Sequence, residues 1–398
     1  MITSPELIVF SQYLLGGGAS FHRNLLSYLP ENTFDLKVIY LYPKAGAFTP
    51  SLEFVKRASD VIFEYGDERL YNVAQRLSSH ISNKEGAIVT NLGIELDCLD
   101  LFPRGQKTIY FICHDSGFLA LAKKFDHIID VIIAHNSEIF ATLKKLLPNR
   151  VEDIFFIPHG VKVQQFAKTA NVNSKLRIAF LARHHTMKGI YDLPEINRMV
   201  VNAGIEVEWL IMGDGQERRK FTAQTRTLPN FCFAKPETNS AVLEALKQCD
   251  LFILPSRKDG LPVALLEAMS VGCVPLVSAF SEGIREVVTP AIGFVVEVGN
   301  NKGFADCIVG LHRNRELLST QSKNSIDSIA SHYDVKERAM EYFTLYADYA
   351  KHRKGGRGSH LARAVRRAYQ LFKSMIASKA VVQLKRKLFN TPRQADNG

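Results

Sequence analysis

Two carboxylates stand eight residues apart in the most chemically suggestive stretch of the chain. They are Asp259 and Glu267, in LPSRKDGLPVALLEAMSVGCVPLVSAFSEGIREVV, residues 254–288. Asp259 precedes a helix expected to open on Leu261, Pro262 and Val263, because proline is favoured in a first helical turn. Glu267 would then lie about two turns further on. Unpaired amides at such a helix start bind phosphate, and the two acids are suited to holding sugar hydroxyls. The plainer alternative is a helix-start acid at 259 and a solvated acid at 267. The apolar setting of LLEAM speaks against the second, since a buried acid normally has a partner.

Cations and glycines supply the complementary groups. Arg183 and Lys188, in FLARHHTMKG, follow an apolar strand. That is where open α/β sheets bind ligands, and a guanidinium fork with an ammonium suits a diphosphate. Taken alone, they could equally be solvated loop cations. Near the start of the chain, SQYLLGGGASFHRNLL runs a strand into Gly16, Gly17 and Gly18 and then a helix from about Ala19–Ser20. Glycines there allow close backbone approach to a ligand at a helix N-terminus. Phe21 stands at the last glycine position of GxGxxG and no GK[ST] follows, so neither the dinucleotide fingerprint nor the P-loop applies. His114, in FICHDSG, ends another apolar strand as a candidate hydrogen-bond donor, or as a structural cap.

These residues need strand ends to hold them. Apolar runs at Leu7–Phe10, Leu36–Leu41, Val61–Phe63, Ala87–Thr90, Thr108–Cys113, Val131–Ala134 and Ile154–Ile157 alternate with helical patterns, one of them covering Asn24–Leu29. A polar linker, KTANVNSK at 168–175, precedes a second series. It comprises Arg177–Leu181, Glu206–Met212, Asn230–Phe233, Leu251–Leu254, Val274–Val277 and Gly293–Val296. Continuous apolar strands between helices imply parallel sheets covered on both faces. The expected class is α/β, with two doubly wound, Rossmann-like domains facing a central cleft. The expected domains are 1–168, joined by a C-terminal helix at about 334–350, and 176–333. A basic tail, 351–398, follows.

The 398 residues carry a net charge of +10, from 50 Lys+Arg against 40 Asp+Glu. That charge is concentrated. Residues 351–398 hold 13 Lys/Arg and one acid, whereas residues 1–350 hold 37 Lys/Arg and 39 acids. A body near neutrality is a poor duplex-binding surface, so nucleic acid is not an expected partner. Cys98, Cys113, Cys232, Cys249, Cys273 and Cys307 form no CxxC pair, and buried free thiols in a reducing compartment are expected. With neither a secretory pattern nor a long apolar run, the expected location is cytoplasmic. No DxD motif or metal-ligand spacing is evident, so no metal and no cofactor is expected. In the tail, apolar residues at helical spacing between Leu361 and Ile376 alternate with Arg363, Arg366, Arg367 and Lys373. A basic amphipathic helix suits an anionic membrane surface, which makes 355–398 a candidate peripheral contact on the inner face of a membrane. Packing on the body and disorder are the alternatives.

Taken in order, these segments resemble glycosyltransferase family 4, the retaining nucleotide-sugar transferases of GT-B fold. Residues 254–288 are similar to the family's block with the paired EX7E acids. LARHHTMKG resembles its GRL…KG, FIPHGV its IPNGV, and IMGDG its IVGDG. The resemblance spans nearly all of residues 1–350. It implies a sugar moved from a nucleoside diphosphate donor to a saccharide or lipid-linked acceptor, in surface polysaccharide or glycolipid assembly. It places Gly17 and Gly18 against the donor phosphate or acceptor, and Arg183 and Lys188 on the leaving diphosphate. Asp259 and His114 would reach the transferred sugar, and Glu267 the ribose. The backbone of Gly260, Leu261, Pro262 and Val263 would meet sugar hydroxyls and phosphate, and Glu286 would close the block. The implied chemistry is a front-face substitution in which a leaving phosphate oxygen takes the acceptor's proton. Asp259 replaces the usual Glu and His159 the usual Asn; Lys162 stands where an acid often follows. The other functional readings are a GT-B nucleotide-sugar epimerase and a non-catalytic nucleotide-sugar-binding subunit.

Overall fold

A computed structural model describes residues 4–13, 16–44, 57–102, 104–164 and 175–354. The expectations for the linker at 168–174 and for the tail at 355–398 lie outside the described residues.

The first half contains β1 (Glu6–Gln12), α1 (Gly17–Leu26), β2 (Asp35–Pro43), β3 (Val61–Tyr65), α2 (Leu70–Ser78), β4 (Gly86–Thr90), α3 (Ile94–Leu101), β5 (Lys107–Cys113), α4 (Leu119–Lys124), β6 (Val131–Ala134), α5 (Ser137–Leu146) and β7 (Ile154–Phe156). The second contains β8 (Leu176–Leu181), α6 (Leu193–Asn202), β9 (Val207–Met212), α7 (Arg218–Thr225), β10 (Phe231–Ala234), α8 (Asn239–Lys247), β11 (Leu251–Leu254), α9 (Val263–Ser270), β12 (Val274–Ser278), α10 (Ile284–Val287) and β13 (Phe294–Val296). The helices α11 (Asn301–Arg313), α12 (Arg315–His332), α13 (Val335–Ala347) and α14 (Tyr349–His352) follow.

Every strand pairing is parallel. The first sheet runs β3-β2-β1-β4-β5-β6-β7 and the second β10-β9-β8-β11-β12-β13. Strands such as β5 and β12 are buried along their whole length because helices cover both faces, which explains their unbroken apolar runs. In each sheet the winding reverses beside the first strand, between β1 and β4 and between β8 and β11. Ligand crevices form at such points, outside the carboxyl ends of the strands.

The chain then returns to the first half. Val161 bridges Asp334, the Tyr342 hydroxyl donates to the Ile157 carbonyl at 3.0 Å, and the Tyr110 hydroxyl donates to the Leu345 carbonyl at 2.8 Å. An added Cβ on Gly160 would lie 2.5 Å from the Val335 backbone, so only glycine allows this closeness.

Three local expectations are corrected. Helix α1 spans Gly17–Leu26, starting before the expected Ala19–Ser20 and ending short of Leu29: the glycines that looked like a turn are its first residues, and burial of Phe21, His22 and Leu25 outweighs their low propensity. Helix α9 starts at Val263, not Leu261. Proline pushes the residue before it to extended backbone, and Pro262 itself sits at ψ 121° as the cap, so Glu267 is about one turn in. Cys232 is exposed, although Cys98, Cys113, Cys249 and Cys273 are buried free thiols.

Candidate functional site

The carboxyl end of β8 feeds the segment holding Arg183 and Lys188, and β11 feeds the turn 255–262. Arg183 is exposed. Lys188 and Asp259 are partly buried and form an ion pair at 2.5 Å. The intervening turn is pinned by Gly189, at φ 71°, where an added Cβ would lie 2.0 Å from the Pro255 carbonyl oxygen. Arg257 clamps it from the other side through a two-pronged pair with Asp192. The ammonium and the first acid therefore share one mouth, and each neutralises the other when no anion is present.

Glu267, on α9, is 5% exposed. Burial pushes its carboxyl up to about 6, opposed by the Asn239 amide, which donates to Oε1 at 2.6 Å, and by the nearby Arg23 charge. An acid held there at a cost, with one oxygen engaged by protein, is suited to accepting from ligand hydroxyls.

The two halves meet at this place. An added Cβ on Gly260 would fall 2.2 Å from the His114 carbonyl oxygen and 3.0 Å from Asp115 Cβ, so the second-half turn lies against the end of β5. An added Cβ on Gly17 would lie 4.0 Å from Val263, which brings the N-termini of α1 and α9 to opposite sides of one cleft. Both present amides with no intrahelical partner and a partial positive charge. The first-half wall continues through Gly18, Asn91 and His22, with Asn91 Nδ2 2.6 Å from His22 Nε2. Glu95 sits beneath, accepting from the Asn91 and Leu92 amides, and burial pushes its carboxyl up to about 7.

The family described as Glycosyl transferases group 1 matches residues 161–327. The cleft wall bearing Lys188, Asp259 and Glu267 lies within the matched segment, and the wall bearing Gly17 and His114 precedes it. The chain is 29% identical over 205 residues to an N,N'-diacetylbacillosaminyl-diphospho-undecaprenol alpha-1,3-N-acetylgalactosaminyltransferase of Campylobacter jejuni, covering 51% of each chain. It is 27% identical over 233 residues to an Escherichia coli UDP-Gal:alpha-D-GlcNAc-diphosphoundecaprenol alpha-1,3-galactosyltransferase, covering 55% of this chain and 60% of that one. The chain thus spans between half and two thirds of the length of these relatives. The solved sucrose-phosphate synthase of Thermosynechococcus elongatus superposes with a TM-score of 0.71 at 16% identity, covering 87% of this chain and 99% of that one. The architecture is the GT-B fold.

Within this frame the singled-out residues do not all converge. Gly17, His114, Lys188, Asp259, Gly260, Leu261, Pro262, Val263 and Glu267 lie at the meeting of the two walls, with Gly18 on the first wall beside Asn91. Glu286 is exposed and accepts from the Ser137 hydroxyl across the halves. One residue along, Glu138 accepts from the amides of Glu282, at 2.9 Å, and of Gly283. Glu286 therefore belongs to a contact that fastens α10 to α5. Sequence reading passed over Arg23, Asn239, Ser137 and Glu138, whose partners lie far away in the chain.

It also passed over the clustering of histidines around Phe21. The Phe21 ring packs edge-on against His22, His114, His135, His159 and Tyr342. Burial lowers His114 to about 4 and His22 to about 3, and pushes His135 and His159 well below the usual histidine range, so all four rings are neutral near pH 7. No metal was expected from sequence, yet His114, His135 and His159 bring ligand-capable nitrogens within 4.8 Å of one another.

Proposed function

We propose that this chain is a retaining glycosyltransferase of family 4 type. It would move a sugar from a nucleoside diphosphate donor to a lipid-linked or saccharide acceptor in surface polysaccharide or glycolipid assembly. The observation that carries this reading is the meeting of Gly260 with the His114 backbone, beside a buried Glu267 and the Lys188–Asp259 pair. The group 1 match and the diphospho-undecaprenol substrates in the names of both relatives support it.

In this reading the nucleotide lies along the second wall. Glu267, ionised above about pH 6, accepts from the ribose hydroxyls through the oxygen that Asn239 leaves open. The α9 amides and Lys188 take up the charge of the diphosphate, with Arg183 at the exposed rim, so the diphosphate needs no metal of its own. Binding of the diphosphate draws Lys188 away and frees Asp259 for the sugar. His114, held against Gly260, walls the sugar from the first half. The bond from the anomeric carbon to the phosphate oxygen breaks while the acceptor oxygen bonds to the same face. The released phosphate oxygen takes the acceptor's proton. Gly17 and Gly18 leave room for the diphosphate or acceptor to approach the α1 amides.

Among the described residues no helix is long and apolar enough to cross a membrane. Action on a lipid-linked acceptor from the cytoplasmic side assigns the charge of 355–398 to an anionic membrane surface. Liposomes containing anionic lipid should retain the full chain and release a chain ending at 354; equal retention contradicts that role. The substrate reading is tested by thermal shift against nucleoside diphosphates and their sugars, because a ligand stabilises the state it binds. At least one nucleoside diphosphate should raise the melting temperature of the natural protein and not that of Glu267→Ala. A panel without effect at millimolar concentration overturns the assignment.

A further inference from the structure

Three adjacent parallel strands of the first sheet each end in a histidine: His114 directly follows β5, His135 follows β6, and His159 comes shortly after β7. Neighbouring parallel strands stand about 4.8 Å apart, so residues just past their ends are brought to one edge. The rings pack together there: His135 and His159 stack at 3.5 Å between centroids, and His114 lies 5.0 Å and 5.5 Å from them. His114 Nε2, His135 Nε2 and His159 Nδ1 are buried and make no hydrogen bond. Buried nitrogens without partners are uncommon in folded proteins, and three in one cluster call for an occupant.

The state of the rings identifies its chemistry. His135 Nδ1 lies 3.0 Å from the Ile157 carbonyl and 3.1 Å from the Tyr342 hydroxyl, which itself donates to that carbonyl, so a proton on Nδ1 suits both neighbours and leaves the lone pair on Nε2. A backbone carbonyl fixing the far nitrogen is the usual support of a metal-bound histidine. An apolar group would leave the nitrogens unsatisfied.

We propose that His114, His135 and His159 form a three-histidine site for a divalent transition metal, namely zinc. Three imidazoles with the remaining position left to water or a substrate oxygen is an established zinc arrangement. Zinc–nitrogen bonds of about 2.0–2.1 Å in a tetrahedron put the nitrogens roughly 3.4 Å apart. The nitrogens, within 4.8 Å of one another, must draw in by up to about 1.4 Å, and the His135–His159 stack must open by side-chain rotation, because the in-plane lone pairs of rings stacked 3.5 Å apart do not meet at one ion. His114 would then face the cleft only through Nδ1. The inference rests on the histidine geometry alone and stands whether or not the chain transfers sugar.

The experiment uses the full-length, untagged chain, stripped with chelator and titrated with zinc against a chromophoric competitor; cobalt is then added to the stripped protein. One equivalent of zinc should bind, and cobalt should give the visible bands of a four-coordinate nitrogen and oxygen site with no sulfur charge-transfer band. His159→Asn, which keeps a side chain of similar size, should lower zinc affinity by at least about 100-fold, more than is lost on removing an outer-shell partner. No zinc uptake, a sulfur charge-transfer band, or unchanged affinity in His159→Asn overturns the proposal. If that variant fails to fold, the cobalt spectrum of the natural chain decides alone.

Discussion

Glu267 is expected to cost the protein stability, and its replacement by glutamine should make the fold stronger while ending its function. Burial raises the carboxyl from an ordinary 4.5 to about 6, with Asn239 and Arg23 only partly opposing. A raised carboxyl binds its proton more tightly folded than unfolded. Stability is therefore highest below pH 4.5 and declines as pH rises through about 6. The gap of about 1.5 pH units amounts to about 2 kcal/mol lost at pH 7.5, falling below about 0.5 kcal/mol at pH 4.5. Glu267→Gln removes the charge and keeps an oxygen for the Asn239 amide to donate to at 2.6 Å. Thermal melts of both proteins at pH 7.5 and 4.5 should show the variant more stable at the higher pH, by up to about 2 kcal/mol, with most of the gain gone at the lower. Transfer should be lost, since a glutamine amide offers ribose one acceptor instead of an anion. A variant less stable than the natural protein at pH 7.5, or a difference independent of pH, refutes the reasoning about buried charge.

The same shift predicts that donor affinity, measured by titration calorimetry, holds steady above about pH 6 and weakens below it as Glu267 takes a proton. Lys188→Ala should lower kcat by about 10²–10³-fold, as does loss of one charge-stabilising donor elsewhere, and leave the melting temperature nearly unchanged. Gly260→Ala should lower kcat/KM by about 10²-fold, because a Cβ at 2.2 Å from the His114 carbonyl pushes the two walls apart. Glu138→Ala uncaps the amides of Glu282 and Gly283, so the cleft should widen in small-angle scattering with donor binding retained.

Much of the fold was legible because a doubly wound sheet writes itself in unbroken apolar runs. β6 and β11 have the bounds read from sequence, and β4, β5 and β12 differ by one residue. Helix starts were less legible where glycine and proline carry more than one meaning. Gly17 and Gly18 pass for a turn yet open α1, because packing of Phe21 decides; Pro262 passes for a first-turn residue yet stands just outside α9. The burial of Glu267 was legible in LLEAM, but its partner Asn239 was not, since nothing local marks a residue on α8 as facing α9. Glu286 looked like part of the binding block because sequence cannot tell a ligand contact from a bond across the halves to Ser137. The histidine cluster was least legible. His114, His135 and His159 are far apart in the chain, and only the order β5-β6-β7 makes them neighbours.

Acceptor-dependent release of nucleoside diphosphate tests the central claim most directly. The full-length chain is incubated with a panel of nucleoside diphosphate sugars, with and without polyprenyl-diphosphate-linked saccharides, and the anomeric configuration of any product is read by NMR. At least one pair should release diphosphate only when the acceptor is present, with the donor's anomeric configuration retained in the product and no release by Glu267→Ala. Donor conversion without acceptor, an inverted linkage, or equal rates in Glu267→Ala would contradict the account.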